Sequence, residues 1–303
     1  MKLLFNYFIF PGFLFAACVG LIAGWIDRKV TARIHWRVGP PWYQNFVDII
    51  KLFTKEVIMP ESAGATFLLS PCFGLLGAVL VSTILGMTVR LPSGGFSGDI
   101  IVVLYLLVIP AIAIIVGASS SGNPLASVGA SREMKLVLAY EMPFILSVIV
   151  VIIKSGGAIR ISSILGAQAV SGSNICSLSG ILAFLISILC MQAKLGFVPF
   201  DASEAEQEIM GGALIEYSGM PLAIFKLTKA ILLYTIPLFI IILFWGGSLT
   251  LFSLVWKYVV LLVIVVLIKN TNPRLRIDQA LRFFWGPVTV AALIAVGLAF
   301  IGK

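Results

Sequence analysis

The chain is predicted to fold as an all-α polytopic membrane helical bundle, with about eight transmembrane helices plus a cytoplasmic amphipathic helix. Composition is the first reason. Of 303 residues, 60% are hydrophobic and 11% charged, and the mean hydropathy is +1.10. Soluble domains run about 25% charged and 45–50% apolar, so a water-soluble fold is excluded. Disorder is excluded with it, because a disordered chain needs charge and little apolar content. Spacing is the second reason: the apolar residues gather into eight runs, each close to the roughly 20 residues that cross the hydrocarbon core. The third is the lack of strand-like alternation, which argues against a transmembrane barrel.

The runs fall at about 3–26, 66–89, 99–118, 133–153, 176–195, 219–245, 252–270 and 283–301. The first opens like a secretion signal, with Lys2 before the apolar stretch and Phe15-Ala16-Ala17-Cys18 hinting at a lipoprotein cleavage site. It continues past Cys18 to Trp25, which suits a retained helix better. Loops after the first, third, fifth and seventh runs carry thirteen basic residues: Arg28, Lys29, Arg33, Arg37, Lys51, Lys55, Arg132, Lys135, Lys194, Lys269, Arg274, Arg276 and Arg282. The opposite side carries Lys2, Arg90, Lys154, Arg160 and Lys303. That bias places the basic loops in the cytoplasm and both termini outside a cell membrane. It also accounts for the net charge of +8 without a nucleic-acid partner. No repeat is visible, so residues 1–303 are expected to form a single integral membrane domain.

The longest loop, 27–65, contains Trp42, Phe46, Ile49, Ile50, Phe53 and Val57 at helical spacing, with Asn45, Asp48, Lys51 and Lys55 on the other face. Pro40-Pro41 and Pro60 bound it. An amphipathic helix on the cytoplasmic interface fits, and a cradle for a docked protein fits equally.

Ionisable groups inside a span cost several kcal/mol and mark function by default, about 2.5–3.5 kcal/mol on insertion scales. Glu141, within Tyr140-Glu141-Met142-Pro143, sits between apolar residues in the fourth run. Pro143 frees a carbonyl and admits water beside the acid, so the carboxyl is a candidate to load and release a proton. An interfacial acid capping the span is the plainer alternative. Lys226 and Lys229 share a face of the sixth run, and Lys257 lies in the seventh. With Glu141 they are candidates for a chain of titratable groups, or for lysines snorkelling to the interface. In the acidic loop 196–216, Asp201, Glu204, Glu206 and Glu208 crowd within eight residues, followed by Glu216. On a helix Asp201, Glu204 and Glu208 would share a face, to couple to positive partners or accept protons, or simply to be solvated.

The cysteines Cys18, Cys72, Cys176 and Cys190 are widely spaced, and His35 is the only histidine. Metal and cluster ligation needs such residues close together, so no redox cofactor is expected in this chain.

Four motifs resemble those of the membrane "heel" subunit of respiratory complex I, colinear over nearly the whole chain. They are Asp27-Arg28-Lys29-Val30-Thr31-Ala32-Arg33 with Arg37-Val38-Gly39-Pro40; Tyr140-Glu141-Met142-Pro143; Pro199-Phe200-Asp201 with Glu204-Ala205-Glu206 and Glu216-Tyr217-Ser218-Gly219; and Arg274-Leu275-Arg276-Ile277-Asp278-Gln279. The resemblance implies a subunit joining a peripheral electron-transfer arm to an ion-translocating membrane arm. In complex I it forms most of a quinone tunnel, and its buried acids begin the proton path.

Two departures choose a branch. Lys194-Leu195-Gly196-Phe197 stands where complex I has Glu-Thr-Asn-Arg, and Lys229 stands where complex I keeps an acid. The chain most resembles the membrane subunit of Ech-type group 4 energy-converting [NiFe] hydrogenases. Those complexes pass electrons from ferredoxin to protons and move H⁺ or Na⁺. The implied partners are a NiFe large subunit, a cluster-bearing small subunit, a ferredoxin-like cluster subunit and an antiporter-like membrane subunit, with the NiFe centre and iron–sulfur clusters in those partners. Under this resemblance Glu141, Asp201, Glu204, Glu206, Glu208, Glu216, Lys226 and Lys229 serve ion translocation and coupling. Arg28, Lys29, Arg33, Arg37, Arg274, Arg276 and Asp278 dock the arm. The alternative is the quinone-chamber subunit of a complex I-type NADH/ferredoxin:quinone oxidoreductase.

Overall fold

A computed structural model of the protein describes residues 2–61, 63–90, 95–96, 98–247 and 250–302, with the backbone alone for Lys2, Leu3, Glu206 and Gln207. Lys303 and the Glu206 side chain lie outside what is described. Every regular element among the described residues is helical.

The first span is α1 (Lys2–Phe8) and α2 (Phe13–Ile34), bent around Pro11, where proline removes a backbone donor. The amphipathic segment is α3 (Gln44–Thr54), and α4 (Ala65–Arg90) is the second span. The third is split into α5 (Asp99–Leu106) and α6 (Ile109–Ser119) just before Pro110. The fourth, α7 (Pro124–Lys154), precedes a short α8 (Ile161–Ser171), and α9 (Leu178–Lys194) follows. After the one-turn α10 (Glu206–Ile209) come α11 (Gly219–Phe244) and α12 (Leu251–Thr271). The last span joins α13 (Ile277–Phe283) to α14 (Thr289–Phe300) through a wider π-type turn containing Pro287.

Seven helical stretches among the described residues are long and apolar enough to cross a membrane. The remaining predicted run corresponds to α9, whose 17 residues rise about 25 Å. The chain is thus an all-α, multi-pass membrane bundle. Its axis is α11, buried without interruption from Ile231 to Phe244, as a helix apolar on all sides should be. Helices α2, α3, α4, α9 and α12 pack around it. The α2–α11 contact is a backbone approach: a Cβ on Gly20 would lie 2.2 Å from the Ala230 carbonyl oxygen.

Several local expectations need correction. Helix α2 runs on to Ile34, so residues 27–34, taken as loop, extend the span about 12 Å beyond residue 26. Helix α7 begins at Pro124, nine residues before the predicted run, because Asn123 caps it by accepting from the Leu125 N–H at 2.8 Å, with proline in the favoured first position. Polar residues in that first stretch hid it. Helix α3 excludes Trp42 and Val57, and its faces are mixed. Asn45, placed on the polar side, is the buried residue and donates to the Leu21 carbonyl at 2.8 Å, while Ile50 and Phe53 point outward. The acidic run is not one helix: residues 201–205 are irregular and only Glu206–Ile209 make a helical turn.

Candidate functional site

Four segments meet at one end of the bundle: the end of α2 with α3, the start of α7, the α9–α11 connection and the α12–α13 connection. They are the four basic segments of the sequence. Leu275 N–H donates to the Pro199 carbonyl at 3.0 Å, and Asn270 to Thr31 at 3.2 Å. Ile58 N–H donates to Ser218 at 3.0 Å, and Arg132 reaches the Ala202 carbonyl at 3.3 Å. Phe200 plugs the acidic loop into the core, 2% exposed, its ring centroid 4.7 Å from that of Phe284 and 6.0 Å from that of Phe283. Gly212 closes the loop: its φ is +54°, and a Cβ there would lie 2.0 Å from the Ser203 carbonyl oxygen, so only glycine fits.

All six ion pairs found among the described residues lie in this region. Three are outer: Arg28–Asp48 at 3.0 Å, Arg274–Asp201 at 3.0 Å and Arg132–Glu208. Three are inner: Lys269–Asp27 at 2.8 Å, Lys229–Glu204 at 2.8 Å and Lys194–Glu141 at 2.6 Å. The three loop acids in these pairs are held by different elements, Asp201 by the final connection, Glu204 by α11 and Glu208 by α7. The Lys194 side chain is 2% exposed, and its ammonium also lies 5.0 Å from the ring centroids of Tyr140 and Phe144, a cation–π setting that holds charge in an apolar place.

Two cavities penetrate between the pairs. One, of about 240 Å³, lies between α2, α3 and α11 and includes Asp27, Arg28, Asn45 and Asp48. The other, of about 220 Å³, lies between α6, α7, α9 and α11 and includes Glu133, Lys194, Ser203 and Glu204. Lys226 and Lys229 line both. The two lysines therefore stand between a cavity that contains Asp27 and one that contains Glu133 and Lys194, the partner of Glu141.

In the acidic loop, burial pushes the Asp201 carboxyl above its ordinary range, with the nearby Arg274 charge pulling the other way. Burial acts in the same sense on Asp48, but hydrogen bonds from Arg28 and Gln44 prevail and hold its carboxyl below the ordinary value. Burial raises Tyr217, whose hydroxyl donates to the Phe67 carbonyl at 3.1 Å.

The structure thus brings together Glu141, Asp201, Glu204, Glu208, Lys226 and Lys229. It does not bring in Glu216, which accepts from Asn123 at the cap of α7. Tyr217 stacks on Phe67 with centroids 4.1 Å apart, so the Glu216-Tyr217-Ser218-Gly219 stretch ties α11 to α4 and to the segment after α3. Lys257 is also apart, donating to the Trp245 carbonyl at 2.7 Å. Arg28, Lys29, Arg33, Arg37, Arg274, Arg276 and Asp278 belong to the segments at the ion-paired end; Arg33, Arg37, Arg276 and Asp278 are exposed there, while Arg28 and Arg274 already hold carboxylates.

Sequence reasoning missed Asp27, Glu133, Lys194 and Lys269 as site residues. Each was assigned to a loop or a span end, yet Asp27 and Glu133 are 6% and 8% exposed. The available signal was that an acid or lysine bordering an apolar run deserves the same suspicion as one inside it. Among the described residues no group of three or more His, Cys, Asp or Glu could hold a metal ion.

The protein family described as NADH dehydrogenase matches residues 8–300. The chain is 29% identical to the H subunit of NADH-quinone oxidoreductase from Brevibacillus brevis, over 93% of this chain and 89% of that protein. It is 36% identical to hydrogenase-4 component C of Escherichia coli, over 66% of this chain and 63% of that one. Among solved structures, a chain of the membrane-bound sulfane sulfur reductase, an archaeal respiratory membrane complex, matches with a TM-score of 0.89 and 32% identity, covering 99% of this chain and 100% of that one.

Proposed function

The chain belongs to the NADH dehydrogenase family of membrane subunits, and from that premise we propose that it anchors the peripheral electron-transfer arm of an energy-converting oxidoreductase of the Ech-type [NiFe]-hydrogenase kind. It couples ferredoxin-driven hydrogen evolution in that arm to H⁺ or Na⁺ translocation. Its membrane is the cell membrane, with both termini outside and the ion-paired end in the cytoplasm. Its partners are a NiFe large subunit, a cluster-bearing small subunit, a ferredoxin-like cluster subunit and an antiporter-like membrane subunit, and the redox centres belong to them.

The observation that carries this reading is the continuity of charge from the acidic loop into the bundle. Asp201, Glu204 and Glu208 lie at the end where the arm would dock, each clamped by one cation, and the Glu204 partner Lys229 lines the cavity that contains Glu133 and Lys194, the partner of Glu141. A change of charge in a docked arm alters the field at these acids, and a clamp that releases one of them exposes a carboxylate and an ammonium at the cavity mouth. Lys229 and Lys194 then relay the imbalance toward Glu141. Similarity to hydrogenase-4 component C supports the hydrogenase branch, as do the lysines at 194 and 229.

A second reading is supported by the cavity between α2, α3 and α11 and by the similarity to the H subunit of NADH-quinone oxidoreductase. There the first cytoplasmic segment and Asp201 line a quinone chamber. Metal analysis of the complex co-purified with this chain in mild detergent, with subunits identified by mass, separates the two. Stoichiometric nickel with iron supports the hydrogenase, and ferredoxin-driven hydrogen evolution becomes the assay. Iron without nickel overturns it, and quinone binding and sulfane sulfur reduction are assayed next.

A further inference from the structure

Lys229 stands between two acids, of which only one holds it. Its ammonium pairs with Glu204 at 2.8 Å in the cavity that also contains Glu133. The same side chain borders the other cavity, which contains Asp27. Asp27 is half used. Its Oδ2 accepts from Lys269 at 2.8 Å, while its Oδ1 is buried and has no hydrogen-bond partner among the described residues. A buried carboxylate oxygen left without a donor is costly, so its retention calls for a reason.

The ground between the two acids suits a moving ammonium. Phe197 lines the Asp27 cavity, and its ring centroid lies 5.9 Å from the Lys229 ammonium and 4.8 Å from that of Lys269. An aromatic face stabilises a cation without fixing it by a directional hydrogen bond. Beside it, Gly196 adopts φ +59° and packs next to the Lys229 ammonium, where a Cβ would make ordinary contact at 3.6 Å.

We infer that Asp27 is a second station for Lys229, whose ammonium crosses the Phe197 face from Glu204 to the open Asp27 Oδ1 as charge passes between the two cavities. This rests on the site being the ion path proposed above. The move carries one positive charge from the acidic-loop side to the α2 side. It leaves Glu204 without its counter-charge, ready to take up a proton or a Na⁺ ion. It leaves Asp27 with two ammonium partners. The other charged groups facing this region, Arg28, Asp48 and Lys226 on one side and Glu133 on the other, set the balance between the stations.

The test is the structure of the intact complex carrying Glu204→Gln, determined by electron cryomicroscopy in lipid nanodiscs. With its first partner neutral, Lys229 is expected within hydrogen-bond distance of Asp27 Oδ1. Lys229 remaining beside the substituted amide, or Lys226 taking Asp27 instead, overturns the inference. A second measurement uses Asp27→Asn in the complex reconstituted into vesicles. Ions moved per electron pair should fall by about twofold or more, while electron transfer continues and Asp27→Glu restores much of the ratio. An unchanged ratio in Asp27→Asn overturns the second station. Lys229→Met separates this inference from the reading it rests on. If that variant pumps like the wild type, the ion path itself is wrong. If it pumps poorly while Asp27→Asn pumps normally, only the second station fails.

Discussion

The two ends of this bundle handle buried polar groups in different ways. At one end cations meet carboxylates: Lys269–Asp27, Lys229–Glu204, Lys194–Glu141, Arg274–Asp201, Arg28–Asp48 and Arg132–Glu208. At the other end cations and amides meet backbone carbonyls. Gln168 donates to Ile242 and Leu243 at 3.0 and 2.8 Å and accepts from Gly246 N–H at 2.7 Å, and Asn174 donates to Leu243 at 2.9 Å. Lys257 reaches the Trp245 carbonyl at 2.7 Å and Arg160 the Gly95 carbonyl at 2.7 Å. Most of these contacts finish the C-terminus of α11, whose last carbonyls have no intrahelical donor and carry partial negative charge. A carbonyl cannot gain or lose a proton, so the α11 terminus is held by fixed charge. A carboxylate can change its charge, so the ion-paired end can answer an electrical signal. The carboxylate–cation pairs, which can change charge, are gathered at the first end.

The comparison can be broken by substitutions at either end. The largest effect is expected for Lys194→Ala, which leaves Glu141 without its counter-charge. Removing one partner of a buried pair costs about 3–5 kcal/mol, to be read as a drop in the thermal midpoint of the complex in detergent. Lys194→Met combined with Glu141→Gln should recover most of it. Glu141→Gln alone should allow assembly and lower ion transport in vesicles; transport at the wild-type level would take Glu141 out of the path. At the opposite end, Gln168→Leu leaves the Ile242 carbonyl and the Gly246 N–H unmet, while Asn174 still serves the Leu243 carbonyl; the cost is about 1–3 kcal/mol for each group left bare. Complexes that survive should move the same number of ions per electron, and a changed ratio would end the distinction between a fixed end and a switching end.

Gly212→Ala tests the acidic loop. A side chain at φ +54° costs about 1–2 kcal/mol in conformation alone, and its clash with Ser203 should shift Glu204 from Lys229. The ratio of ions to electrons should fall while electron transfer proceeds. The smallest effect belongs to Asp48 at the surface. Its carboxyl is held below the ordinary value in the folded chain, so its contribution is present above the unfolded value and is lost as pH falls through the folded one. Hydrogen exchange of the α3 amides should accelerate over that acid window, by a small amount because the pair is half exposed and screened. In Asp48→Asn the pH dependence should disappear.

Local chemistry in the sequence determined the helices and their polarity. A run of about twenty apolar residues gains enough from leaving water to be a span wherever its neighbours lie, which is why the predicted 219–245 and 252–270 match Gly219–Phe244 and Leu251–Thr271. The basic loops were likewise legible as one side, and the structure assembles those four segments together. Polar starts to helices were not legible, as at Pro124, where an Asn123 cap and an early turn on α7 were read as loop. The partners of the charges were decided only by tertiary structure. Lys269 and Asp27 are 242 residues apart, Arg132 and Glu208 are 76, and Lys194 and Glu141 are 53. Such pairs depend on which helices touch and at what height, and that is set by contacts as close as Gly20 against Ala230. Lys194 looked like a loop cation and Asp27 like the last residue before a basic stretch. Packing turned both into buried charges, because an ion in an apolar interior persists only where the fold brings its counter-ion to it.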